Sequence, residues 1–259
     1  MMTPTAKNYL DFAVRIAGEA GQLTLKYFQE GLAPEWKEDG SPVTIADRAV
    51  EKLLRDRIGE AFPGHEILGE ELGQTSNGHR QPLWIIDPID GTRAFVRGIP
   101  LYAVLIGLEI QGEIVAGVAH FPALSETIAA GRGLGCWWND RPVHLSRVDR
   151  LEDALVIHTN TKKDRSNGKY SDLLRLQDTA QYSTGWGDAY GYLLVATGRA
   201  EVMVDITTHP WDCAPFPAIF SELGGYFGDW KGNPTIYAGE AMATSQSLLP
   251  LVLEQLGNH

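Results

Sequence analysis

The 259-residue chain has little cysteine and no excess of positive charge. Cys136 and Cys213 are the two cysteines. They form no CxxC pair and no zinc-like spacing, which removes a disulfide scaffold and a structural zinc site from consideration. Two small buried side chains in a reducing compartment are expected instead. Lys and Arg number 22 against 33 Asp and Glu, a formal charge of −11. A field of that sign argues against nucleic acid and anionic membrane surfaces as partners. Long apolar runs are missing too. LYAVLIGL, at 101–108, stops at Glu109, far short of the ~18 residues a membrane span needs. The opening MMTPTAKNYLDFAVRIAGEAG carries Asp11 and Glu19 and no continuous apolar core, so neither a signal nor a transit peptide is expected. There is no internal repeat, and no GxxxxGKS loop, HExxH or GxSxG. The expectation is a soluble, cytoplasmic protein.

What is present is an ordinary globular balance, 44% hydrophobic and 21% charged, with length for one large domain or two closely joined halves. Leu10, Ala13, Val14, Ala17, Gly21, Leu25 and Phe28 recur at helical spacing. The stretch from Ser41 to Phe62 predicts a second helix with Ile45, Ala49, Leu53, Leu54 and Ile58 on its apolar face, ended by Pro63-Gly64. HEILGEELG reads as a short apolar segment and QTSNGHRQP as a polar loop. WIID, YAVLIGLEI, EIVAGVAHF and ETIAAG read as strands, with hairpin turns at Gln111-Gly112 and Asn139-Asp140. Such short turns predict an antiparallel sheet. After about residue 150, strands (ALVIHT, EVMVDI) alternate with helices (SDLLRLQDTA, DAYGYLLVATG, WDCAPFPAIFSELGG, LLPLVLEQL), which predicts a second, smaller layered half. The division falls at 1–148 and 149–259, with the acidic motifs where the halves meet.

WIIDPIDGTRAFVRGIP, residues 84–100, places Asp87 and Asp90 three residues apart at the end of an apolar strand. Ionised carboxylates are costly to bury unless a cation meets them. Hard divalent cations such as Mg²⁺ take oxygen ligands and keep waters that phosphate oxygens can replace. Asp87, Asp90 and the Ile89 carbonyl would supply part of such a shell. Gly91 and Thr92 would offer backbone N–H groups where a helix begins, a phosphate cradle. The plainer alternative makes Asp90 a turn former and Asp87 a cap. A calcium loop counted from Asp87 fails, because Ile89, Gly91 and Gly98 stand at its third, fifth and twelfth positions. Asp47, Glu70 and Asp212 complete the set of acidic positions that stand out.

GEE at 69–71, WIIDPIDGT at 84–92 and WDCA at 211–214, together with SPVTIAD at 41–47 and LVATGRAEVMVD at 194–205, resemble the signatures of the inositol monophosphatase superfamily of Mg²⁺-dependent phosphatases. Order and spacing match across almost the whole chain. The resemblance implies an α+β fold shared with fructose-1,6-bisphosphatase. Its layers run α-β-α-β-α, with a mostly antiparallel N-terminal sheet and a smaller mixed C-terminal one. It implies metal ligands at Glu70, Asp87, the Ile89 carbonyl, Asp90 and Asp212, holding two or three Mg²⁺. Asp47 and Thr92 would orient and deprotonate the attacking water, with Glu70 helping through a further metal ion. Gly91 and Thr92 would hold the phosphate of a small-molecule ester. Relatives are commonly homodimers. In this scheme Glu71 reads as a solvent-exposed neighbour rather than a ligand. Trp84 and Trp211 read as packing, and His209 as a structural histidine.

The sequence departs from the inositol phosphatases after the DGT. Those usually show T-x-N-F, whereas this chain has Thr92-Arg93-Ala94-Phe95 followed by VRGIP, which resembles the histidinol-phosphate phosphatase branch. GWGDAYGY at 185–192 matches that branch's G-D-x-Y at Gly187, Asp188 and Tyr190. Asp205, seven residues before Asp212, falls where relatives carry a substrate-contacting acid. Two acids near the leaving group favour a cationic alcohol, and histidinol carries an amine and an imidazole. Asp188 could equally be a helix N-cap, and Asp205 a strand end. The implied role is hydrolysis of L-histidinol phosphate, in histidine biosynthesis. The alternatives are an inositol-1-phosphate or broad sugar-phosphate phosphatase and, in another class, a non-catalytic metal-binding regulatory relative. A 3′-phosphonucleotide phosphatase ranks lower, because no distinct basic patch offers to hold a second phosphate.

Overall fold

The structure, a computed structural model, describes residues 5–31, 33–37, 42–75, 82–159 and 168–257. Helix α1 (Ala6–Leu25) starts in a capping box: Asn8 Oδ1 accepts the Thr5 amide at 2.9 Å and Thr5 Oγ1 accepts the Asn8 amide at 3.4 Å. Strands β1 (Glu35–Trp36) and β2 (Pro42–Val43) pair antiparallel ahead of helix α2 (Ile45–Ala61). That helix is shorter than its periodicity predicts. Thr44 caps it, and Ile45, expected on the apolar face, is 61% exposed in the first turn. Ser41 of the SPVTIAD motif and residues 76–81 of the predicted polar loop lie outside the described residues.

An eight-stranded sheet follows: β3 (Glu66–Gly69), β4 (Gly73–Thr75), β5 (Leu83–Asp90), β6 (Ala103–Ile110), β7 (Glu113–Phe121), β8 (Glu126–Gly131), β9 (Gly135–Trp138) and β10 (Arg141–Pro142). Its order is β10-β9-β8-β7-β6-β5-β3-β4, and every pair is antiparallel except β3 with β5. Both predicted hairpin turns hold, with Gln111-Gly112 and Asn139-Asp140 all at positive φ, the conformation such tight turns require. Between β5 and β6 lies the one-turn helix α3 (Thr92–Phe95).

The second sheet contains β11 (Leu155–His158), β12 (Tyr182–Thr184), β13 (Val202–Asp205), β14 (Gly225–Gly228) and β15 (Ala241–Ser245), in the order β12-β11-β13-β15-β14. Its β11 contacts are parallel and its β15 contacts antiparallel, so it is mixed. Helices α4 (Lys169–Thr179), α5 (Ala189–Ala196), α6 (Pro210–Cys213), α7 (Phe216–Glu222) and α8 (Leu249–Gln255) complete the chain. The single helix predicted over WDCAPFPAIFSELGG is two. Pro215 and Pro217 have no N–H to donate, so the helical ladder breaks between Cys213 and Phe216.

Three apolar cores set the layers. Ile16 of α1 and Leu54 and Ile58 of α2 pack with Ile86, Val104 and Ile106 on one face of the large sheet. Its other face, through Ile85, Leu105 and Phe121, meets Leu193 of α5 and Phe216 and Phe220 of α7, which also touch Met203 and Phe227 of the second sheet. Leu173 and Leu176 of α4 and Val252 of α8 cover that sheet's outer face. The result is the α-β-α-β-α stack. Each buried aliphatic side chain contributes about 1.5–3 kcal/mol, so these cores dominate the stability of the fold.

Candidate active site

The acidic site is built by two backbone devices. The first is a bulge. Asp87 pairs with Leu105 and Asp90 with Ala103, three steps along β5 against two along β6. Residues three apart on a regular strand face opposite sides, and the extra residue at Pro88-Ile89 cancels that parity. Asp87 and Asp90 therefore meet. The second is a pair of facing glycines, Gly107 and Gly117, in register on β6 and β7. A Cβ on Gly107 would lie 2.5 Å from the Ala214 carbonyl oxygen, and one on Gly117 2.2 Å from that of Pro215. Only bare backbone lets the α6–α7 junction settle this close to the sheet, and that approach delivers Asp212.

Ligand oxygens of Asp87, Asp90 and Asp212 lie within 4.8 Å of one another. Each carboxylate is fixed by a backbone amide: Asp87 Oδ1 by Ile89 at 3.0 Å, Asp90 Oδ2 by Ala189 at 2.8 Å, and Asp212 Oδ2 by His209 at 2.8 Å. Burial first, then the neighbouring carboxylates, push Asp87 and Asp90 well above the usual carboxylate range. Asp212 is raised to about 8, again chiefly by burial. Three like charges crowded at one point, Asp87 buried and Asp212 partly so, are stable as ions only around a cation, and an all-oxygen donor set suits a hard divalent metal. The donor set therefore fits the expected metal.

Asp47 sits at the third position of α2, where Thr44 donates both its amide, at 2.8 Å, and its hydroxyl, at 2.6 Å, to Asp47 Oδ2. The other oxygen, Oδ1, stands 3.3 Å from Thr92 Oγ1, which also reaches the Ile89 carbonyl at 3.0 Å. Burial is the main force raising the Asp47 carboxyl. Gly91 precedes α3 at φ +78°, and a Cβ there would press to 2.9 Å from the Leu101 carbonyl oxygen. The one-turn α3 thus presents the start of a helix to the acidic cluster.

A cavity of ≈ 350 Å³ opens over these groups, lined by Glu70, Asp87, Ile89, Asp90, Gly91 and Thr92 and by Asp188, Asp205 and Asp212. Tyr192 donates its hydroxyl to Asp205 Oδ2 at 2.7 Å. Burial raises Asp205 to about 7 despite that bond and one from Thr159. Asp188 holds φ 54°, ψ −160° and makes no side-chain cap to α5, a conformation that costs a non-glycine residue about 1–3 kcal/mol. Its carboxyl is raised by burial and held down by the Arg93 charge.

The family model for the inositol monophosphatase family matches residues 6–259. The chain belongs to the inositol monophosphatase family. It is 42% identical over 253 residues to a histidinol-phosphatase of Chlorobaculum parvum, covering 96% of this chain and 94% of that one. It is 34% identical over 238 residues to an inositol monophosphatase of Dictyostelium discoideum, covering 88% and 87%. In three dimensions it resembles the extragenic suppressor protein suhB of Bartonella henselae, with TM-score 0.90, 29% identity, and 96% and 98% of the two chains covered.

Within this family member, several placements differ from the linear reading. Asp47 is buried behind Thr92 and does not line the cavity, and neither does Gly187. A Cβ on Gly187 would strike Thr159 at 2.7 Å, so it lets its loop pass close to the end of β11. Glu71 is no solvent-exposed neighbour. Its side chain is 7% exposed, it pairs with Lys37, and burial raises it to about 7. His209 and Trp211 stack at 4.9 Å and line the cavity, whereas Trp84 is fully buried packing. Lys37, Thr159, Tyr192, Thr207 and Thr208 also line the cavity without any motif marking them. Glu70 lies outside the three-carboxylate group, with Lys37 Nζ 2.8 Å from its Oε1.

Proposed function

We propose that this phosphoric monoester hydrolase is Mg²⁺-dependent and acts on L-histidinol phosphate. The observation that carries the substrate assignment is the placing of Asp188 and Asp205 on the wall of the cavity whose floor is the Asp87–Asp90–Asp212 cluster. Two acids beside the leaving group suit an alcohol with an ammonium and an imidazole, and the stacked His209–Trp211 pair gives that imidazole a flat wall. The 42% identity to a histidinol-phosphatase supports the same reading.

Asp87, Asp90, Asp212 and the Ile89 carbonyl would hold the metal, with Glu70 serving a further ion. When bound, two or three Mg²⁺ would supply the positive field that offsets the phosphate charge and acidifies the attacking water. Thr92 Oγ1, 3.3 Å from Asp47 Oδ1, orients the water, takes its proton and passes its own to Asp47, which is buried behind it. The Gly91 and Thr92 amides hold phosphate oxygens at the start of α3. Asp188 and Asp205 hold the leaving alcohol. No covalent nucleophile is needed for such a displacement. A cytoplasmic homodimer is the assembly we favour, and among the described residues no helix is long and apolar enough to cross a membrane.

The test is kcat/KM for L-histidinol phosphate against inositol-1-phosphate with Mg²⁺. Histidinol phosphate should win by at least tenfold. A preference for inositol-1-phosphate overturns the substrate assignment. No phosphate release from either ester at any Mg²⁺ concentration would make the chain a non-catalytic binder.

A further inference from the structure

Glu51 is a fully buried carboxylate that the proposed reaction does not use. It stands one helical turn after Asp47 on α2, and both its oxygens are committed. Oε2 accepts the Glu71 amide at 2.7 Å, and Oε1 accepts the Leu72 amide at 3.1 Å and Arg55 Nε at 2.8 Å. The same arginine donates its Nη2 to the Gly73 carbonyl. The turn from β3 to β4 is thus gripped through its backbone from the helix side, while Glu70 faces the cavity. Gly69 makes room for the grip: a Cβ there would lie 2.2 Å from Glu51 Oε1.

The β3–β4 hairpin is already closed by its own ladder, in which Gly69 pairs with Gly73. A buried ion pair is a poor way to add stability, because desolvation offsets most of its attraction. What it gives is a fixed position. We infer that Glu51 is a positioning residue for Glu70, so that one rigid helix sets the place of both the proton acceptor Asp47 and the further metal ligand Glu70. This rests on the reading of Glu70 as a metal ligand. A difference of a few tenths of an ångström at a ligand is enough to matter, since outer partners of metal ligands typically change affinity 10–100-fold.

Metal-free protein is titrated with Mn²⁺ and free ion is read by EPR, for wild type, Glu51→Gln, Gly69→Ala and the reference Glu70→Gln. The Glu51→Gln change keeps the volume but turns an amide NH₂ toward the turn's own donors. The Gly69→Ala change displaces the carboxylate with Glu51 intact. Both variants should weaken, at least tenfold, the class of Mn²⁺ site that Glu70→Gln removes. They should leave the class held by Asp87, Asp90 and Asp212 within twofold. With Mg²⁺, kcat should fall at sub-saturating metal and recover at high metal, while KM for the ester stays within threefold. Wild-type titrations in both variants, or equal weakening of every class, overturn the inference, as does failure of both to fold. If Glu70→Gln removes no class, the assignment of Glu70 itself falls and the inference with it. Loss in Glu70→Gln but not in the other two removes the positioning role alone.

Discussion

The Ala189 amide donates to Asp90 Oδ2 at 2.8 Å, joining residues 99 positions apart in the sequence. That bond ties the end of β5 to the start of α5, and the strained backbone of Asp188 is what aims the amide. Asp90→Asn keeps an acceptor for Ala189 but removes one of three clustered charges. Activity with Mg²⁺ should fall on the order of 10³-fold, about 4 kcal/mol of lost transition-state stabilisation. The metal-free variant should melt higher than metal-free wild type by a few degrees, because a buried repulsion is relieved. Calorimetry in EDTA reads the second effect, and a lower Tm would contradict the repulsion argument.

The raised carboxyls set a pH dependence for the metal-free protein. A carboxyl whose folded pKa lies above its unfolded value of ~3.9 favours the folded state when protonated, and that stability is lost as pH rises toward the folded pKa. Asp205, at about 7, and Asp212, at about 8, extend this loss to about pH 8. His65 and His120, depressed by burial, act oppositely, but their contribution is complete above about pH 6.5. Between pH 6.5 and 8 the Tm in EDTA should therefore fall, and saturating Mg²⁺ should flatten the slope. A metal-free Tm that rises across this window would count against it.

Thr92 carries a narrower prediction. Its hydroxyl lies 3.3 Å from Asp47 Oδ1 and 3.0 Å from the Ile89 carbonyl oxygen, and it lines the cavity. Thr92→Val keeps the shape and the backbone amide but removes the hydroxyl that, in the proposed mechanism, would link Asp47 to the attacking water. We expect kcat to drop about 10²–10⁴-fold, the usual worth of positioned proton transfer. KM and the Mg²⁺ half-saturation should each stay within threefold. A loss confined to KM would move Thr92 from water activation to phosphate binding.

How much of this is legible in the sequence depends on the signal each feature leaves. The hairpins are readable because Gln111-Gly112 and Asn139-Asp140 are local turn chemistry. The acidic positions are readable through motif resemblance, and Asp87, Asp90 and Asp212 do converge. The bulge that makes this possible has no residue signature beyond Pro88. Gly107 and Gly117 read as unremarkable strand glycines until the α6–α7 junction is seen resting on them. The split of the 211–225 helix follows from two prolines that periodicity alone overrides. Ile45 looks like core because periodicity ignores where a cap begins the helix. Lys37 leaves no trace: one lysine in a polar segment says nothing about a carboxylate 33 residues away.

That lysine supplies its own test. Lys37 Nζ is 2.8 Å from Glu70 Oε1 and 2.5 Å from Glu71 Oε1, and those hydrogen bonds raise its pKa against the opposing effect of burial. If Glu70 serves a further metal ion as proposed, the Lys37 ammonium would compete with that ion for the carboxylate. Lys37→Met should tighten Mg²⁺ at that position about fivefold to tenfold, roughly 1–1.4 kcal/mol, read as a lower half-saturation in a Mg²⁺ titration. A higher half-saturation would show that the lysine assists cation binding rather than competing with it.

Asp188 carries the prediction about substrate. It lines the cavity opposite Gly91, whose Cβ, if present, would lie 3.3 Å from Asp188 Oδ2, so its carboxylate overlooks the proposed phosphate cradle. It makes no side-chain cap to α5, and a carboxylate held in a strained conformation with no capping duty is available to a ligand. Asp188→Asn keeps the size and removes the charge. For a cationic alcohol the loss should be large, about tenfold to a hundredfold in kcat/KM on L-histidinol phosphate, or about 1.4–2.7 kcal/mol. For a neutral alcohol only shape matters, and kcat/KM on inositol-1-phosphate should change less than threefold. Equal losses on the two esters would mean that Asp188 serves Asp90, through the Ala189 amide it positions, and not the substrate. Comparing the variant's ratio of the two kcat/KM values with that of wild type separates these roles, since a damaged metal site scales both numbers while a lost ion pair scales one.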